Sequence, residues 1–138
     1  GVELTAGIVS FHIFLKELLE SGALKVKRSE RIYTPQDNYN YSRELEDVTT
    51  LREILGAVGT VREMLLSGRD TMFAGSLLMN EYMPDVMRKV AMDRWENMRG
   101  MGLDCIVTES PDEQVLLRET APAGCRVLSA EQAVLENR

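Results

Sequence analysis

One histidine, two cysteines, four prolines and three phenylalanines in 138 residues are shortages, and several of them remove a class of function. His12 is the sole imidazole, and Cys105 and Cys125 lie far apart with neither in a C-x-x-C pair, so no zinc or iron–sulfur ligand set can be assembled from this chain. Two thiols are too few for a disulfide scaffold and suit a reducing cytoplasm, which is the expected location. No apolar run approaches the roughly 18 to 20 residues of a membrane-spanning helix, and the N-terminus lacks the basic stretch, apolar run and cleavage site of a signal peptide. Neither G-x-G-x-x-G nor G-x-x-x-x-G-K-[ST] occurs, so no glycine-rich loop cradles a phosphate. Lys and Arg number 16 against 22 Asp and Glu, a net charge of −6, whereas phosphate-backbone binding draws its affinity from basic side chains. Nucleic acid is therefore not an expected partner.

What is present is the composition of an ordinary globular fold, 44% hydrophobic and 28% charged. A chain of this length buries roughly two-thirds of its unfolded surface and needs neither metal nor disulfide to hold together. The expectation is one domain over 1–138, and the start at Gly1 leaves room for a fragment of a longer chain.

The apolar spacing of Ile8, Phe11, Phe14, Leu15, Leu18 and Leu19 predicts a first helix that ends near Gly22. Arg31-Ile32-Tyr33-Thr34 predicts a strand stopped by Pro35, followed by a polar loop to about Glu46. Thr49 or Thr50 can cap a helix that carries Leu51, Ile54 and Leu55 and closes at Gly56 or Gly59. Val58 to Leu65 and Thr71 to Gly75 read as further short strands. Leu77 to Met98 has helical spacing with a break at Pro84. Cys105-Ile106-Val107-Thr108 is short and apolar enough for a buried parallel strand. Ser110-Pro111-Asp112-Glu113 then starts a helix, with Ser as cap and Pro in the first position. Arg126-Val127-Leu128 and a helix opened by Ser129 and Gln132 complete the pattern. Strand and capped helix in alternation predict an α/β fold: three layers, with a mainly parallel sheet of four or five strands flanked by helices.

The side chains offer little chemistry on spacing alone. His12 reads as a packed or surface histidine, because no second ligand sits at helical spacing beside it. Cys105 reads as a small core residue and Cys125 as a turn residue. Six of the eight methionines (Met79, Met83, Met87, Met92, Met98 and Met101) gather in and around the long helix, as core filler or as a partner-facing surface. The helix start at Ser110 is self-capped, since Asp112 and Glu113 complement its dipole and repel an anion. Lys25, Lys27, Arg28 and Arg31 read as a solvated connector.

The order of segments resembles a known family, the cysteine-rich CCG domain of heterodisulfide reductase subunits, of the iron–sulfur subunits of glycolate or lactate oxidases, and of anaerobic glycerol-3-phosphate dehydrogenase. Leu15 to Leu24 is similar to its leading helix, and Arg31-Ile32-Tyr33-Thr34-Pro35-Gln36-Asp37 to its first cysteine loop. Thr50-Leu51-Arg52-Glu53-Ile54-Leu55 is similar to its Pro-Arg-Glu-Ile-Leu helix. Met72-Phe73-Ala74-Gly75 stands where Cys-Cys-Gly is expected, and Ile106-Val107-Thr108-Glu109-Ser110-Pro111-Asp112-Glu113 where Ile-Val-Thr-x-Cys-Pro-x-Cys is expected. The resemblance is one of framework, because Asp37, Phe73, Ala74, Ser110 and Glu113 replace the cysteines. Phe and Ala supply no ligand atom, so the family's cluster chemistry does not carry over. Oxygens from Asp37, Ser110 and Glu113 would suit a weakly held divalent cation.

The resemblance implies a degenerate cysteine-rich domain, without cofactor or metal, that keeps a structural or partner-binding place beside redox-complex subunits. Its candidate crevice is Asp37, Phe73, Ala74, Gly75, Ser110 and Glu113, at the carboxyl ends of the strands where open α/β sheets place ligands. Two rival readings stand beside it: a small-ligand-binding or hydrolytic domain that reuses the crevice, and an interaction module that docks through the methionine-rich helix. No catalytic residue is assigned.

Overall fold

A computed structural model describes residues 6–138. The sheet has four strands, all parallel, in the order β2-β1-β3-β4. They are β1 (Ile32–Gln36), β2 (Thr60–Val61), β3 (Cys105–Thr108) and β4 (Arg126–Leu128). Among the described residues six α-helices connect and cover them: α1 (Phe11–Glu20), α2 (Thr50–Val58), α3 (Leu77–Tyr82), α4 (Pro84–Glu96), α5 (Pro111–Glu119) and α6 (Ala130–Leu135). The fold is thus the mainly parallel α/β sandwich that the alternation of elements predicts. Among the described residues no helix is long and apolar enough to cross a membrane.

Side chains alternate across each strand, so the sheet buries both faces. Tyr33, Cys105, Val107 and Leu128 pack on one face against Leu15 of α1, Leu51, Ile54, Leu55 and Val58 of α2, and Ala133 and Val134 of α6. Ile106 and Val127 pack on the other against Met87, Ala91 and Trp95 of α4 and Leu116 and Leu117 of α5. The helix starts expected at Ser110 and Ser129 form as read. Ser110 Oγ accepts the Glu113 N–H, and Ser129 with Gln132 makes a complete capping box.

Four expectations need correction. Pro35 does not stop the first strand but lies inside it, level with Val107 of β3. Arg31 and Tyr33 carbonyls accept from Thr60 and Arg62, so odd-numbered residues of β1 address β2, and that strand ends before it reaches Pro35. The missing N–H therefore interrupts no ladder. Val58 to Leu65 contributes only the two residues of β2, because α2 continues to Val58 and closes at Gly59. Thr71 to Gly75 is not a strand, since side chains take its backbone bonds: Arg43 donates to the Thr71 carbonyl, Gln36 to the Met72 carbonyl, and Glu113 accepts from the Ala74 N–H. Half of the predicted apolar stripe of α1 is in solvent: Ile8, Phe11 and Phe14 are exposed, whereas Leu15 is buried, Leu18 and Leu19 are half-buried, and His12 also faces inward.

The long helix does break at Pro84, into α3 and α4, with Met83 outside the helical region at φ −139° and ψ 60°, since a following proline disfavours the α conformation. Its methionines divide: Met87 and Met98 are core, and Met79, Met83 and Met92 are exposed.

Candidate functional site

From β1 the chain crosses to β2 on one side, and from β3 it crosses to β4 on the other, so the direction of winding reverses between β1 and β3. The loops that leave their carboxyl ends diverge and open a crevice there. Three segments meet at it: 36–41 after β1, 71–76 before α3, and 108–113 between β3 and α5.

Glu113 joins them. As the third residue of α5 it would ordinarily turn back to cap the helix, but its side chain turns inward and is buried. Its carboxylate accepts from the Ala74 N–H at 3.0 Å, Gln36 Nε2 at 3.2 Å and Thr108 Oγ1 at 3.4 Å. Gln36 is the relay: its Nε2 also donates to the Met72 carbonyl, and its Oε1 accepts from Arg94 Nε. Arg94, fully buried on α4, sends Nη1 to the Leu65 carbonyl at 2.7 Å. Burial pushes the Glu113 carboxyl up to about 7 against the pull of these hydrogen bonds and of Arg94. Burial likewise pushes Arg94 down to about 10, opposed by the charges of Glu113 and Asp37.

In front of this network lies a cavity of about 180 Å³ walled by Tyr39, Phe73, Gly75, Ser76, Ser110 and Glu113 among others. Gly75 needs to be glycine: its φ is +130°, and a Cβ would run into Leu116 of α5. Asp112 crosses the mouth to accept from the Leu77 N–H at 3.0 Å, which ties α5 to α3.

Of the six residues expected to form the crevice, Phe73, Gly75, Ser110 and Glu113 line this cavity, and Ala74 lies buried behind it with its N–H on Glu113. Asp37 is the correction. Its carboxylate turns away into a bidentate pair with Arg52, at 2.6 and 3.0 Å, and also takes the Gly68 N–H at 2.7 Å. A buried carboxylate goes to the strongest charge-assisted donors in reach, and Arg52 of α2 supplies them while it also grips Glu63.

The donors present do not fit an iron–sulfur cluster or a divalent ion. Phe73 and Ala74 offer no ligand atom, Ser110 is committed to the helix cap, and the Glu113 and Asp37 oxygens are already filled. Among the described residues no group of three or more His, Cys, Asp or Glu could hold a metal ion. The thiols are elsewhere: Cys105 begins β3 at the opposite end of the sheet, its thiol pushed up to about 11 by burial, and Cys125 precedes β4 at that same end.

A second cavity, of about 130 Å³, lies across Ser110 on the α1 and α6 side, and its chemistry escaped the sequence. His12 Nε2 meets Asp47 Oδ2 at 3.1 Å, and its Nδ1 faces Glu109 Oε1 at 3.7 Å. The Tyr41 ring lies over the imidazole at 4.5 Å between centroids. Asp47 accepts the Thr49 and Thr50 N–H groups as well, so it caps α2. Burial opposes its ionisation, but the hydrogen bonds from Thr50, Thr49 and His12 prevail and hold its carboxyl well below the usual range. Glu109 has no such support. Burial, then the charges of Asp47, Asp37 and Glu131, push its carboxyl up to about 7. Its Oε1 has no hydrogen-bond partner among the described residues.

Asp47 two residues ahead of a Thr-Thr helix start is a legible capping signal, and Glu109 at the carboxyl end of a buried strand is a legible site position. Their convergence on His12, 35 residues from Asp47, is not legible in the sequence.

Comparison of the chain with family models, with curated proteins and with solved structures returns no match.

Proposed function

We propose that this chain is a degenerate cysteine-rich domain in which a protein-only polar plug occupies the place of a metal cluster, and that it serves redox metabolism as a structural or partner-binding component in the cytoplasm. The observation that supports this reading is the Glu113 carboxylate, which draws together the segments that align with the family's three cysteine motifs, through Gln36, Ala74 and Thr108. Glycine is required at Gly75, which stands in the place of the motif glycine. Arg94 and Glu113 supply the opposite charges that a cluster and its thiolates would otherwise balance, with Gln36 between them. Such a domain passes electrons to nothing itself. The role left to it is to hold a place in an assembly.

Iron and acid-labile sulfide analysis of anaerobically purified protein, with a visible spectrum, tests the reading. Metal-free, colourless protein is expected, and stoichiometric thiolate-held iron overturns it. A folded quadruple variant with Phe73→Cys, Ala74→Cys, Ser110→Cys and Glu113→Cys should take up iron and sulfide on anaerobic reconstitution. A folded variant that takes up none counts against the alignment.

A further inference from the structure

We propose that the cavity between α1, β3 and α6 is a binding site for a small organic ammonium ion, a protonated primary amine on a short apolar or aromatic body. The site is independent of the Glu113 plug and of the role given to it above. Three features of its wall carry the assignment.

The first is charge. Glu109 and Glu131 line the cavity, Asp47 lies behind His12, and no Lys or Arg is among the lining residues. A wall of one sign selects a cation and repels carboxylates and phosphates. The second is an unfilled acceptor. Glu109 Oε1 is buried with no partner among the described residues, and at 3.7 Å from His12 Nδ1 it stands beyond direct hydrogen-bond reach. A carboxylate with one oxygen that no donor serves is under-satisfied, and an ammonium seated against the Glu109 side chain that lines the cavity brings three donors and the opposite charge.

The third is shape. Phe11 and Tyr41 supply aromatic surface to the same cavity, and Phe11 is 60% exposed although it begins a helix. Aromatic faces attract cations and accept the apolar body behind them. A volume of about 130 Å³ approaches the roughly 150 Å³ of an engineered cavity known to admit benzene. His12 is a positioning residue here. Its Nε2 is held by Asp47, which fixes the ring and turns Nδ1 toward Glu109.

Benzylammonium, benzyl alcohol and benzoate share one ring and differ in charge, so they separate this site from a merely greasy hollow. In amide NMR titrations at pH 8, benzylammonium should give saturable shifts centred on Tyr41, Glu109 and Ser110. Benzyl alcohol should bind about tenfold more weakly, as loss of a charge-assisted hydrogen bond predicts, and benzoate not at all. Glu109→Gln should cost benzylammonium a similar factor while leaving benzyl alcohol unchanged. Lowering the pH from 8 to 6 should weaken benzylammonium as Glu109 takes up its proton, with Asp47 still ionised and the titratable His12 and Glu131 also facing the cavity. Equal binding of the alcohol and the ammonium, an unaffected Glu109→Gln variant, or no saturable shift at these residues each overturns the proposal. None of these outcomes bears on the iron content that tests the plug.

Discussion

Two glutamates four residues apart flank the same helix start and carry carboxyls pushed up to about the same value, yet they do opposite things. Glu113 is closed in: three donors reach its oxygens, and a buried arginine stands one glutamine away. Glu109 is left open, with one oxygen buried and unserved beside a histidine. Burial raises both of these carboxyls, whereas the donors within reach decide whether each is structure or site. The closed one is what a fold spends on holding three loops together. The open one keeps binding capacity for something else.

Breaking the closed region should produce the largest effect. Arg94→Ala strands the Gln36 oxygen and the Leu65 carbonyl and removes the cation nearest Glu113, so urea denaturation should show a loss of about 3 to 5 kcal/mol. Arg94→Lys should not restore it, because one ammonium cannot reproduce the fork that spans both acceptors.

Glu113→Ala should cost about 2 to 4 kcal/mol by the same measurement, since it leaves the Ala74 N–H and Gln36 Nε2 buried without an acceptor. Glu113→Gln keeps an oxygen for those donors, and a loss under about 1 kcal/mol is expected. If the two variants behave alike, the carboxylate is not the clasp described here.

The open region should respond with the opposite sign. Below about pH 4.5 Glu109 is protonated whether the chain is folded or not, and it contributes no pH dependence. As pH rises toward 7 the unfolded chain releases that proton first, so the native state loses stability until the folded carboxyl also ionises. Glu109→Gln should therefore stabilise the protein by about 1 to 2 kcal/mol at pH 8 and by little at pH 5, read from thermal melts at both values. A variant less stable at pH 8 would mean that Glu109 is structure after all.

The smallest expected effect lies at the cap that anchors the open region. Asp47→Ala should cost about 1 kcal/mol through the start of α2, and Asp47→Asn less, because an amide oxygen still accepts the Thr49 and Thr50 N–H groups. Both should broaden the His12 ring resonances, which that carboxylate holds in place.

Much of the scaffold was legible because its signals are local. Cys105 to Thr108 announces a buried strand by its unbroken apolar run, and Ser110 and Ser129 announce helices by capping chemistry that acts within one turn. The exposed face of α1 and the bonds of 71–75 were not legible. The first looks amphipathic whatever lies opposite, and the second is satisfied by side chains from Arg43, Gln36 and Glu113.

By itself, then, the sequence determined the alternation of strands and helices, the absence of a thiolate set, and the crevice side of the sheet, because each follows from residue types and spacings within a short window. Only the tertiary structure decided that Asp37 belongs to Arg52 and Glu113 to Gln36 and Ala74, and that His12 stands between Asp47 and Glu109. The physical reason is distance along the chain. A polar side chain takes the best donor that folding brings within about 3 Å, and that donor comes from another element, whose arrival no local pattern encodes.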